Sequence, residues 1–281
     1  MQSSTQIPAG ASNLIAPRDD LFSRRSARLE QLAAGQADAA WLSTLASLAR
    51  HQQIAFSALA NAPAESELKL IWQSTYRTLF AAMTGSPLVP DGAQPLDGKA
   101  LDEAGEKCLK LAHGEIVADA RDSQDYLVAA AMQVAWSAAE SSPAALERVQ
   151  TVAHKHCPEC GCEPVGSIVL AGAGKAGLRY LECCLCATRW HAVRAHCTLC
   201  DEGSVVSYLG LEGGNPAVQA ECCDHCHGYV KTCFQEKDPD VDPVADDLAS
   251  LMLDVLVGQE GYSRASPNLF LAGVEPASHK A

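Results

Sequence analysis

The chain has 281 residues, with 34 acidic against 21 basic side chains and a formal net charge of −13 at pH 7. That length suits a main domain with one or two small modules, and the acidic balance argues against nucleic acid as a partner, because a polyanion is met by basic surface. The longest apolar run, at 128–139, is too short and too interrupted by polar residues to span a bilayer, so no membrane span is expected.

Residues 1–17 read as a loose leader. They lack the basic start and apolar stretch of an export signal, and Ser23-Arg24-Arg25 precedes an amphipathic rather than an apolar segment. A cytoplasmic location is therefore expected. Helical periodicity then runs to about residue 152. Leu21, Phe22, Leu29, Leu32 and Ala33 recur at helix spacing, with Gly35 as a C-cap. Trp41, Leu42, Leu45, Leu48 and Ala49 form a second face, and Leu70, Ile71, Tyr76, Leu79 and Phe80 a third, closed by Gly85 and Pro87. A Pro- and Gly-rich loop at 86–98 leads to Asp97, an N-cap for a helix carrying Leu101, Ala104, Cys108 and Leu111 on one side. Two more helices are expected at 126–139 and 143–153, giving roughly six in a domain that should not need metal to fold.

From residue 154 the texture changes to Cys, Gly, His and short β-branched runs. Strands are expected at 165–170, 178–182, 205–209 and 217–220. After Glu236 one acidic helix follows, with Asp242 as N-cap, Pro243 in its first turn, and Asp246 and Asp247 near its positive end. Val244, Leu248, Leu251, Met252 and Val255 would form its apolar face and Gly258 would end it.

Thirteen cysteines without an export signal point to metal or catalysis before disulfides. Twelve lie between Cys157 and Cys233, and eight form C-x-x-C pairs: Cys157/Cys160, Cys183/Cys186, Cys197/Cys200 and Cys223/Cys226. Adding 40 to the first four numbers gives the last four, so the segment is an internal duplication. Two cysteines two residues apart can turn both sulfurs to one ion, and two such knuckles supply a tetrahedral site for Zn²⁺ or mononuclear iron. Self-contained repeats favour sequential sets over a cross-braced pairing. Four thiolates leave no open position for water or substrate, which suits a structural or electron-transfer ion rather than a hydrolytic one. Cys162, Cys184, Cys222 and Cys233 fall outside the register and read as buried neighbours, Cys108 as helical core. His154, His156, His191, His196, His225 and His227 read as surrounding or exposed groups rather than ligands.

The expected fold is thus a helical domain (1–152), two tandem small rubredoxin-like or zinc-ribbon-like metal modules (153–194 and 195–237), and an acidic C-terminal helix with its tail (238–281): a multi-domain α+β chain. The metal segment holds seven Lys/Arg against nine Asp/Glu, which ranks a nucleic-acid-binding ribbon last. No nucleophile–base arrangement is visible, so no enzyme activity is expected.

The segment 177–200, with Gly177, Arg179, Tyr180, Cys183, Cys186, Trp190, His191, Val193, Arg194, Cys197 and Cys200, resembles the formate dehydrogenase accessory protein family FdhE. So do Glu236-Lys237-Asp238-Pro239, Ala245-Asp246-Asp247-Leu248-Ala249, and the early Arg25, Arg28 and Leu29. The resemblance implies a non-enzymatic cytoplasmic factor that binds the molybdenum-containing catalytic subunit of respiratory formate dehydrogenase before export. It also implies two rubredoxin-type iron ions at the eight paired cysteines, zinc being the alternative. Arg179, Trp190, His191 and Arg194 become candidates for partner contact. A rubredoxin-like electron-transfer protein acting on a client is the competing reading.

Overall fold

A computed structural model describes residues 13–34, 39–59, 67–115, 122–141, 155–172, 177–194, 196–203 and 206–271. Five helices come first: α1 (Leu21–Ala33), α2 (Ala39–Ala58), α3 (Leu68–Ala82), α4 (Gly98–Ala112) and α5 (Ser123–Glu140). The expected helix at 143–153, the Gly35 cap, His154 and the tail beyond 271 lie outside the described residues.

Helix α5 is the hub, packed by α2, α3 and α4. Its sequence is apolar on every side, the pattern of a helix surrounded by protein, and every residue from Asp125 to Ala135 is buried. A reciprocal capping box between Asp122 and Asp125 starts it. The third helix forms where expected, but Leu70 points outward at 72% exposure, while Leu68, Trp72, Tyr76, Leu79 and Phe80 face the core.

The second half, joined by one N-terminal strand, forms one eight-stranded sheet: β1 (Leu14–Ile15), β2 (Pro164–Val169), β3 (Arg179–Cys183), β4 (Arg189–Ala192), β5 (Val206–Leu209), β6 (Val218–Cys223), β7 (Gly228–Phe234) and β8 (Ser263–Arg264). The main order is β1-β4-β3-β2-β7-β6-β5, with β8 on β7. The 40-residue repeat is visible in it, since β2, β3 and β4 recur as β5, β6 and β7. The modules join head to tail by parallel pairing of β2 with β7, where the Ser167 and Thr232 hydroxyls meet at 2.6 Å. The sequence did not predict β4 or β7. Within the segment 1–17 read as a leader, Leu14 and Ile15 form β1, which pairs with β4 along its edge.

The single acidic helix is two: α6 (Pro243–Leu248) and α7 (Leu251–Gln259). Asp242 does cap α6, accepting from the Val244 and Ala245 N–H groups at 3.0 and 2.8 Å. The break at Ala249–Ser250 has a cause in β7. The Lys231 ammonium donates to the carbonyls of Asp247 and Ser250, both at 3.0 Å, whose backbone bonds are the tight i→i+3 ones from the Ser250 and Leu253 N–H groups. The break shifts the apolar face. Val244, Leu248, Leu253 and Val257 are buried, whereas Met252 and Val255 stand exposed.

Buried ion pairs tie the ends together. Arg25 of α1 reaches Glu182 of β3 at 3.2 Å and Asp242 at 3.1 Å. Arg28 pairs with Asp238 at 2.7 Å and Asp246 at 2.5 Å. Asp246 and Asp247 therefore neutralise internal cations rather than merely complementing a helix end.

Candidate metal centres

Each module presents two knuckles at the ends of its strands. In the first, Cys157 and Cys160 lie in a turn before β2, while Cys183 ends β3 and Cys186 follows in the turn to β4. In the second, Cys197 and Cys200 precede β5, and Cys223 and Cys226 span the β6–β7 turn. The residue after the second cysteine takes a left-handed conformation at all four knuckles: φ is 74° at Gly161, 56° at Ala187, 60° at Asp201 and 54° at His227. That twist lets the Gly161, Asp201 and His227 N–H groups donate to the carbonyls of Cys157, Cys197 and Cys223, at 2.9, 2.9 and 2.8 Å. Both sulfurs of each knuckle are thereby turned to one side.

The result is two sets of four sulfurs, Cys157/Cys160/Cys183/Cys186 and Cys197/Cys200/Cys223/Cys226, each with its sulfurs within 4.8 Å of one another. The pairing is sequential. In the first set, Sγ–Sγ distances are 3.5 Å for Cys157–Cys186, 3.4 Å for Cys160–Cys183 and 3.6 Å for Cys160–Cys186. In the second, Cys197–Cys226 and Cys200–Cys223 are both 3.7 Å. A tetrahedral ion with sulfur at about 2.3 Å needs sulfurs about 3.8 Å apart, so each set could hold one with little adjustment. Neither set includes a histidine. Crowding already distorts the thiols. Hydrogen bonds from Cys160, Cys183 and Cys186 hold the Cys157 thiol far below its usual range, while burial pushes Cys183 and Cys186 up. A soft cation would resolve that conflict by accepting all four as thiolates.

Cys162, Cys184, Cys222, Cys233 and Cys108 are buried. Cys184 donates to the Ala112 carbonyl at 3.6 Å. Two of the candidates for partner contact are interior groups: Arg179 is fully buried against Glu221 at 2.8 Å, and Trp190 is fully buried beneath the helices. His191 is half-buried edge-on to Tyr180, and Arg194 is exposed. Arg25 and Glu182 link α1 to the strand ending in Cys183, a role that no spacing in the sequence reveals beyond the basic pair on an otherwise amphipathic helix.

Three family models match the chain: FdhE N-terminal over residues 11–88, FdhE central domain over 156–194, and FdhE C-terminal domain over 195–271. A protein named FdhE homolog from Pseudomonas aeruginosa is 36% identical, covering 95% of this chain and 96% of that relative. Protein FdhE of Escherichia coli K12 is 50% identical over 117 residues, 42% of this chain and 38% of that one. The crystal structure of the FdhE protein from Pseudomonas aeruginosa superposes with a TM-score of 0.73 at 33% identity, covering 93% of this chain and 99% of that one.

Proposed function

Because the chain belongs to the FdhE family, we propose that it is an accessory factor in formate dehydrogenase formation. It binds the enzyme's catalytic subunit in the cytoplasm and holds one metal ion, iron or zinc, in each tetra-cysteine set. The observation that carries the reading is the pair of closed four-sulfur sets on one sheet. Such sets offer a bound ion no vacant position, and so suit holding and presenting rather than hydrolysis. The ion would neutralise the thiolates and pin the two knuckles of each module. The chain's own part is to orient the sulfurs and shield them. Among the described residues no helix is long and apolar enough to cross a membrane.

The test is a cell lacking its own FdhE and supplied with this chain or with Cys→Ser pairs. Wild type should carry two ions per chain, co-purify with the tagged catalytic subunit and restore formate oxidation. Cys197→Ser with Cys200→Ser should lose one ion and most of that support, and Cys233→Ser neither. Retention of client binding and activity by the paired variants would move the working surface away from the metal modules. The electron-transfer alternative draws support from one feature, the solvent-exposed Cys200; a reversible redox couple in the iron-loaded protein would favour it.

A further inference from the structure

The repeat that makes the two sets alike in geometry leaves them in different surroundings. The residues inside and just after the second knuckle of each module show it. In the first, Cys184, Leu185 and Ala187 surround Cys183 and Cys186, and all three are buried. Forty residues on, the corresponding positions are Asp224, His225 and His227, and all three are exposed. The ligand positions follow suit. Cys157, Cys183 and Cys186 are at most 3% exposed, with Cys160 intermediate. In the second set Cys200 is exposed and Cys226 intermediate.

The contacts around the knuckles give the cause. The first set is built into the main apolar core, which includes Cys157, Cys183, Leu185 and Cys186 together with residues of α2 to α5. It is also bonded to the helices. Gln133 of α5 donates to the Cys184 carbonyl at 2.8 Å, and the Glu163 N–H donates to the Ala112 carbonyl at the end of α4, also at 2.8 Å. None of the four cysteines of the second set belongs to any apolar cluster of the described residues. The side chains inside and just after its second knuckle are a carboxylate and two imidazoles, with the Tyr262 hydroxyl on Asp224 and the Tyr262 ring beside His227.

We propose that the two centres divide their work. The Cys157/Cys160/Cys183/Cys186 centre is a locked clip between sheet and helices, and the Cys197/Cys200/Cys223/Cys226 centre is the exchangeable one, where a soft divalent ion enters and leaves. An incoming small thiol or chelator would reach the second set from the Cys200 side, forming one new donor bond as one cysteine bond breaks; a thiol's proton passes to the released cysteine, with no change of oxidation state. The same approach to the first set meets only the half-buried Cys160; freeing the other three ligands requires the helical core to part, and opening a core unit takes far more free energy than opening a surface turn. This inference rests on the reading that both sets bind metal.

The experiment uses the full chain loaded with two equivalents of zinc, the stoichiometry being measured first. A stoichiometry below two overturns the two-centre reading itself. Excess chromophoric chelator should then draw zinc in two phases of equal amplitude, the first about tenfold or more faster. Pulsed alkylation with peptide mass spectrometry during release should label Cys197, Cys200, Cys223 and Cys226 in the fast phase and Cys157, Cys160, Cys183 and Cys186 only in the slow one. Cys200→Ser should accelerate the fast phase further or abolish it, leaving the slow phase in place. A single phase for both ions, or labelling of the first set no later than the second, overturns the proposal. Because the labelling order is read on the wild-type chain, it stands even if a variant folds poorly.

Discussion

The carboxylate of Asp247 is buried and held by three partners. It accepts from Arg264 at 2.6 Å and from Asn268 at 2.8 Å, and pairs with Lys231 at 3.0 Å. Burial alone would push its pKa up, but the charges of Arg264 and Lys231 and these hydrogen bonds outweigh it and hold the carboxyl well below its ordinary value of 3.8. A carboxyl whose folded pKa is depressed binds its proton more weakly in the folded than in the unfolded chain. Its stabilisation is therefore complete above the unfolded value and lost as pH falls below it. Asp247→Asn leaves two buried cations undercompensated and should cost roughly 3–5 kcal/mol at neutral pH. The gap from wild type should narrow as pH drops below about 4. Asp246 and Glu182 shift the other way, raised by burial, but they are common to both proteins and largely cancel in the difference. Urea titrations of the two proteins from neutral to acid pH measure the gap; one that stays constant across that range would mean that the charge on Asp247 contributes nothing.

Elements dock through small local features, and α4 shows how opposing magnitudes decide a sign. Gly105 lies flat against the Trp72 indole of α3, where an added Cβ would sit 2.8 Å from the ring. Gly105→Ala gains about 1 kcal/mol of helix propensity. The rigid, buried indole cannot swing away, and overpacking of this kind costs about 1–3 kcal/mol. The clash should win, and thermal or urea unfolding should show a variant less stable than wild type. A more stable one would mean that α3 and α4 slide freely past each other. The legibility of the sequence varies by element for similar reasons. Periodicity reveals α1 to α4 because each has a core to face, and the 40-residue register singles out the eight cysteines that the structure gathers in two sets. Strand β4, only Arg189–Ala192, is too short to show alternation. At the break between α6 and α7 the carbonyls are held by Lys231 on another element, which no local pattern contains. Leu70, Met252 and Val255 stand outward against expectation because apolar spacing on two sides of a helix does not say which side is covered.

At the scale of the whole chain, the residues near its two ends complete each other's charges. Arg25 and Arg28 of α1 and Lys231 of β7 are each 3% exposed at the side chain, and carboxylates at Asp238, Asp242, Asp246, Asp247 and Asp254 face them. Among the described residues, only Glu182 of their ion-pair partners comes from before residue 238. Buried cations stripped of their partners are strongly destabilising, by about 3–5 kcal/mol for each broken pair, against a total stability of only about 5–15 kcal/mol. A chain ended at residue 237 keeps all eight paired cysteines and every helix from α1 to α5, yet should fail to fold cooperatively. Loss should appear in helical circular dichroism as well as in metal content, because α1 would be left with Arg28 unmatched and Arg25 facing Glu182 alone. Arg28→Ala in the full chain is the milder counterpart. It removes one cation but leaves Asp246 and Asp238 uncompensated, and should lower the melting temperature without abolishing the transition. If the shortened chain instead melts where the full chain does and still takes up two ions, the C-terminal helices are a peripheral addition. The ion pairs they make would then contribute nothing to the stability of the helices and sheet.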